Sequence, residues 1–72
     1  MKNTGILLRL KRRELRLTLE DVSKEVGVSI NYISELEKGT KANPSDEVIV
    51  NLARILELEE DSLFTAYKKI PL

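Results

Sequence analysis

The sequence predicts an all-α domain of five short helices, and three observations carry that expectation. Apolar residues recur at helical spacing along the 72-residue chain, and a hydrophobic content of 42% is too high for a disordered one. Runs of β-branched residues with period-two alternation are scarce, which argues against a sheet. The breakers Gly27, Gly39 and Pro44, with Pro71 at the very end, cut the chain into helix-sized pieces, and no internal repeat, low-complexity tract or linker intervenes. A chain this short hides only about 60% of its unfolded surface. It has room for one domain with one core, expected over about residues 6–64, with 65–72 as a tail.

Each piece has its own logic. In the first, Ile6, Leu7, Leu8, Leu10 and Leu15 can share a broad apolar face, while Arg9, Arg12, Arg13 and Arg16 fall at i, i+3, i+4 and i+7 as a cationic stripe on the opposite side. The second opens at Thr18, whose hydroxyl can cap it, and places Glu20 and Asp21 in the first turn, where the helix dipole favours acids. It runs to about Val26 and buries Val22 and Val26. Gly27 suits the left-handed position that ends a helix, and Ser29 can cap the next, so a helix, a three-residue turn and a helix follow directly. The third helix covers roughly residues 30–38, with Ile33 and Leu36 inward and Gly39 closing it. Pro44-Ser45-Asp46-Glu47 reads as the start of the fourth, in which Val48, Ile49, Leu52, Ile55 and Leu56 are spaced for burial. Glu59, Glu60 and Asp61 crowd the start of a short fifth helix whose apolar face is Leu63, Phe64 and Tyr67.

Composition excludes much chemistry. With no Cys and no His, the chain offers no disulfide framework, no thiolate or imidazole metal site and no nucleophile paired with His. An enzyme reading is therefore disfavoured, and no cofactor or small-molecule ligand is implied. The N-terminus meets Arg9 after Ile6, Leu7 and Leu8, too few apolar residues for a signal peptide, and nothing approaches the ~18 of a membrane span. A soluble cytoplasmic protein without a membrane partner is expected. The formal net charge of zero hides an asymmetry: residues 1–18 carry +5, 19–39 carry −3, 40–56 balance and 57–72 carry −2. At a sequence pI near 6.3, nucleic-acid binding has to be argued from geometry rather than bulk charge.

The string Thr18-Leu-Glu-Asp-Val-Ser-Lys-Glu-Val-Gly-Val-Ser-Ile-Asn-Tyr-Ile-Ser-Glu-Leu-Glu-Lys-Gly39 resembles the helix-turn-helix of the phage-repressor or Xre-like regulators. The likeness continues through Pro44-Ser45, Leu52-Ala53, Leu56-Glu57-Leu58 and Asp61-Ser62-Leu63-Phe64, so it covers about residues 6–64. The resemblance implies a repressor-like DNA-binding domain, bacterial or phage-encoded, that contacts double-stranded DNA as a transcriptional regulator. Because an α-helix fits the major groove, the outward residues Ile30, Asn31, Tyr32 and Glu35 of the third helix are the candidate base readers. Asn31 can bond an adenine edge, Glu35 can accept from a cytosine amino group and Ile30 can touch a thymine methyl. The bland alternative for Asn31 is a solvated first-turn residue. Thr18, Ser29, Lys38, Lys41 and Asn43 match the family's backbone-contacting positions, although Lys38 and Lys41 also read as plain surface charge near a helix C-terminus. Arg12 and Glu37 match a family ion pair that ties the first helix to the end of the third; otherwise Arg12 belongs to the solvated stripe.

The chain departs from the family pattern at three places: Arg16 and Glu57 stand where many relatives have Gly, and Leu19 replaces a Gln that often contacts the DNA backbone. Any positive φ at Arg16 would be locally strained. The third helix also carries no Arg or Lys before Lys38, so affinity per monomer should be low. Weak half-site binding implies a homodimer on a palindromic operator. Leu58, Leu63, Phe64, Tyr67, Ile70 and Leu72 form a late apolar surplus, which either contributes an isologous interface or folds back on the single core. A repressor acting by steric occupancy is the leading expectation. The rival is an antitoxin-like or anti-regulator module that uses the uncharged Ile30-Asn31-Tyr32 surface to hold a protein.

Overall fold

A computed structural model describes residues 3–40 and 43–67. Among them lie α1 (Asn3–Glu14), α2 (Leu19–Val26), α3 (Ile30–Lys38), α4 (Asp46–Leu56) and α5 (Glu60–Ala66), with no strand among the described residues. α3 packs between α1 and α2, α4 lies on α2 and touches α1, and α5 closes over α4. The core runs through all five helices, with Leu8, Val22, Ile33, Leu36, Ile49, Leu52, Leu56 and Leu63 each no more than 2% exposed. Burial of this kind contributes about 1.5–3 kcal/mol for each large aliphatic side chain. No described helix is long and apolar enough to cross a membrane.

The first four helix ends follow one rule, and α5 instead stops at Tyr67 with φ −93°. α1, α3 and α4 each close with a 6→1 backbone bond across a left-handed residue: Leu17 N–H to Arg12 O at 2.9 Å, Thr40 N–H to Glu35 O at 3.0 Å and Leu58 N–H to Ala53 O at 2.8 Å. α2 does the same through Val28 N–H to Ser23 O at 3.1 Å. The residue after the left-handed position is apolar in three of the four, and Leu17, Val28 and Leu58 all pack against the core. The left-handed residue is glycine at Gly27 (φ 86°) and Gly39 (φ 85°), but Arg16 (φ 60°) and Glu57 (φ 58°) take the same backbone with a side chain. The left-handed turn is therefore kept at both departures, and Glu57 does not alter the turn after α4 as its replacement of Gly suggested, at the cost of local strain.

α1 differs from the expectation of a broad inward apolar face. Ile6, Leu7 and Leu10 are 56%, 41% and 57% exposed, Leu15 is half-buried, and Leu8 alone of the five is buried. The reason is Gly5, which sits so close to α3 that a Cβ there would lie 2.5 Å from the Glu37 carbonyl oxygen and 2.6 Å from that of Leu36. With Gly5 seated on α3, helical spacing turns Leu8 and Arg12 inward and Ile6 and Leu10 outward. The expected cationic stripe is divided by the same rotation: the Arg12 side chain is 13% exposed, that of Arg9 is 45% exposed, Arg13 faces solvent and Arg16 lies beyond the helix. Two further positions differ. Ile55 is only half-buried, and Leu63, expected among the residues available for an interface, is 1% exposed and belongs to the core.

Candidate nucleic-acid interface

Capped starts at Thr18 and Ser29 open the two helices joined by the turn at Gly27. The Thr18 hydroxyl oxygen accepts from Asp21 N–H at 3.0 Å while Asp21 Oδ2 accepts from Thr18 N–H at 2.9 Å, a reciprocal cap. These bonds, the backbone N–H first, hold the Asp21 carboxyl below the usual carboxylate range, so the cap acts above ordinary Asp titration and is lost as pH falls through the lowered value. At α3 the Ser29 hydroxyl oxygen accepts from Tyr32 N–H at 3.0 Å. Both hydroxyls accept in these caps and keep their own protons free to donate. The N–H groups of Ile30 and Asn31, in the first turn of α3, have no partner within the helix by its geometry, which leaves two aligned donors at the positive end of a dipole.

The outward side of α3 carries exposed Asn31 and Lys38 with half-buried Glu35 between them, at i, i+7 and i+4, opposite the buried Ile33, Leu36 and Glu37. Ile30 stands at one edge, 44% exposed. Tyr32, expected among the outward readers, is half-buried with its ring against the core, because its position on the helix turns it toward the other edge. Half-buried Ser34 lies on the outward side beside Asn31 and Lys38, and continuing the i, i+3, i+7 spacing from Asn31 finds it in the sequence. Asn43 is exposed just before the buried Pro44, and Lys41 lies outside the described residues.

The opposite end of α3 is tied down. Arg12 Nε donates to Glu37 Oε2 at 2.6 Å, its second terminal nitrogen donates to Oε1 at 3.1 Å, and its first donates to the Leu17 carbonyl at 3.0 Å. The Glu37 side chain is 4% exposed, and Arg9 Nε approaches its Oε1 at 3.6 Å. Hydrogen bonding to Glu37 raises the Arg12 pKa against the opposing effect of burial. Arg12 thus bridges α1, the α1–α2 turn and α3. At the end of α5, Tyr67 packs on the core with its hydroxyl buried and without a hydrogen-bond partner among the described residues. Burial pushes that phenol up to about 12, and proximity to Tyr32 adds to the shift.

A sequence model of the helix-turn-helix family matches residues 8–63, which takes in all of the caps, the turn and α3 described above. The chain belongs to the Xre-type helix-turn-helix family of transcriptional regulators. The chain is 34% identical over 70 residues to the HTH-type transcriptional regulator SlrR of Bacillus subtilis (strain 168). That alignment covers 92% of this chain and 46% of SlrR, so the chain spans about half the length of this relative. The N-terminal DNA binding domain of SinR from Bacillus subtilis superposes with a TM-score of 0.77 over 89% of this chain and 93% of that domain. At 22% identity that likeness speaks to the fold. Within the helix-turn-helix frame, Leu19 is half-buried against the core, so the position where relatives often carry Gln here serves packing.

Proposed function

We propose that this chain is a sequence-specific double-stranded-DNA-binding regulator that inserts α3 into the major groove and represses by occupying a palindromic operator as a homodimer. The observation that carries the reading is the outward side of α3: Asn31, Glu35 and Lys38 in one row, headed by a capped start with two free backbone amides. In this reading Asn31 bonds an adenine edge, Glu35 accepts from a cytosine amino group, Ile30 touches a thymine methyl and Tyr32 supplies an edge contact only. The hydroxyls of Thr18 and Ser29, with Lys38, Lys41 and Asn43, hold phosphates and set register without reading sequence. Arg12 and Glu37 keep α3 in place on α1. A second copy is needed because one α3 offers a single cation, Lys38, to the DNA. Leu58, Phe64 and Tyr67, half-buried on the core, remain the candidates for its interface, together with Ile70 outside the described residues.

The test is fluorescence polarisation of the protein against labelled duplexes, including DNA upstream of its own gene, titrated across salt. The expected result is salt-steep binding to one palindromic duplex at two chains per site. Asn31→Ala should cost about 1–3 kcal/mol at one base pair and relax specificity there, with melting unchanged. Sequence-indifferent or absent binding at low salt would instead favour a protein-docking role for the Ile30–Glu35 surface, since such an interface depends far less on salt.

A further inference from the structure

α1 turns its most apolar side to solvent. Among the described residues four large hydrophobic side chains are exposed, and three of them, Ile6, Leu7 and Leu10, form one stripe on α1 at i, i+1 and i+4. The helix cannot roll to bury them. Gly5 is in backbone contact with the Leu36 and Glu37 carbonyls, where any side chain brought round would collide, and the two-pronged bond from Arg12 to Glu37 fixes the rotation from a second point. The exposure is therefore built into the α1–α3 packing, and apolar stripes held open in this way mark contact surfaces.

Charge says what fits there. Arg13, exposed and without an ion pair among the described residues, borders the stripe beside Ile6, and Arg9 lies next to it with 45% of its side chain exposed. Of the +5 carried through residue 18, Arg12 is taken up by Glu37 and Lys11 pairs with Glu14 at 3.5 Å, so among the described residues of α1 Arg13 and Arg9 are the cations presented beside the stripe. The α1 of a second copy would bring the same charge against it. The chain's own acidic surfaces, Glu20, Asp21 and Glu25 on α2 and Glu59, Glu60 and Asp61 at the start of α5, carry no exposed large hydrophobic to cover the stripe. None of these parts of a second copy is complementary, whereas an acidic helix with one apolar face is complementary on both counts.

We propose that the Ile6, Leu7 and Leu10 face of α1 is a docking site for an acidic amphipathic helix of another protein, with its carboxylates on Arg13 and Arg9. The stripe points away from α3, which packs on the opposite side of α1, so docking leaves the row Asn31, Glu35 and Lys38 accessible. The inference is independent of the DNA-binding reading.

The probe is a synthetic helical peptide with Leu at i, i+3, i+4 and i+7 and Glu on both flanks, compared with a scrambled peptide of equal composition. Amide chemical shifts of the labelled full chain would be followed during titration, with affinity read by polarisation. Shifts centred on Ile6, Leu7, Leu10 and Arg13 are expected, together with a loss of roughly tenfold or more in affinity for Ile6→Ser/Leu10→Ser and for Arg13→Glu. All of these positions are exposed, so melting should stay near that of the parent, and Asn31→Ala should leave peptide affinity intact. Equal binding of the scrambled peptide, shifts centred on α3, or indifference to Arg13→Glu would overturn the proposal. So would sedimentation showing a dimer that Ile6→Ser/Leu10→Ser converts to monomer, because the stripe would then be covered by a second copy.

Discussion

The two ends of α3 are held by different kinds of interaction. Its C-terminal end is closed: Gly5 seats α1 on the carbonyls of Leu36 and Glu37, and a buried carboxylate takes two bonds from Arg12. Its N-terminal end is open, held by the Ser29 cap and the turn at Gly27, with first-turn amides unpaired within the helix. Polar groups at the anchored end are satisfied internally and contribute stability, whereas the first-turn amides at the open end have no partner within the helix.

Removing the anchor should have the largest effect. Arg12→Ala leaves Glu37 buried with only Arg9 within reach, at 3.6 Å, and should cost about 3 kcal/mol, a large share of the stability of a domain this size. Thermal and urea melting would check it. Arg12→Met with Glu37→Leu should recover most of the loss, because replacing both partners removes the stranded charge. A melting loss for Arg12→Ala no greater than that of a helix cap would sink the anchored-end account. Gly5→Ala comes next. A methyl group 2.5 Å from a backbone oxygen forces α1 away from α3, so a loss of about 2 kcal/mol is expected, where an ordinary exposed helical Gly→Ala would gain stability.

The open end should respond differently. Ser29→Ala removes one cap bond and should cost about 1 kcal/mol in melting. It should also weaken DNA binding by more than that loss of stability explains, if the same hydroxyl donates to phosphate. Unchanged melting would mean that the turn at Gly27, rather than the cap, holds the start of α3.

The helices and their ends were legible in the sequence because their signals are local. Thr18, Ser29 and Ser45 precede acidic or apolar-periodic runs, Gly27 and Gly39 mark left-handed stops, and Val22, Ile33, Leu36, Ile49 and Leu52 keep one phase. The orientation of α1 was not legible. Periodicity places Ile6, Leu7 and Leu10 on a helix face but cannot say which face meets the core, and here the contact of Gly5 with Leu36 and Glu37, far off in sequence, decides it. Tyr32 differs, because its spacing within α3 already sets it at the edge beside Leu36, and the packing of its ring on the core follows from that edge position. Among the candidate site residues, Asn31, Glu35 and Lys38 follow from helical spacing, and the position of Ser34 between them follows from the same arithmetic.

The smallest effect concerns how helices are stopped. α3 ends on Gly39 and α4 on Glu57, in the same left-handed turn and with the same 6→1 bond, but Glu57 at φ 58° carries a Cβ that clashes with its own carbonyl geometry and a negative charge at the negative end of the α4 dipole. Glu57→Gly relieves both, and the greater freedom of glycine in the unfolded chain offsets part of the gain, so a net stabilisation of about 0.5 kcal/mol is expected. Glu57→Lys keeps the backbone strain while reversing the charge, and should gain only the dipole contribution, about 0.3 kcal/mol. Melting of the two variants at low and high salt separates the causes. The lysine gain should fade with salt and most of the glycine gain should persist, because steric relief is not screened whereas a charge at a helix end is.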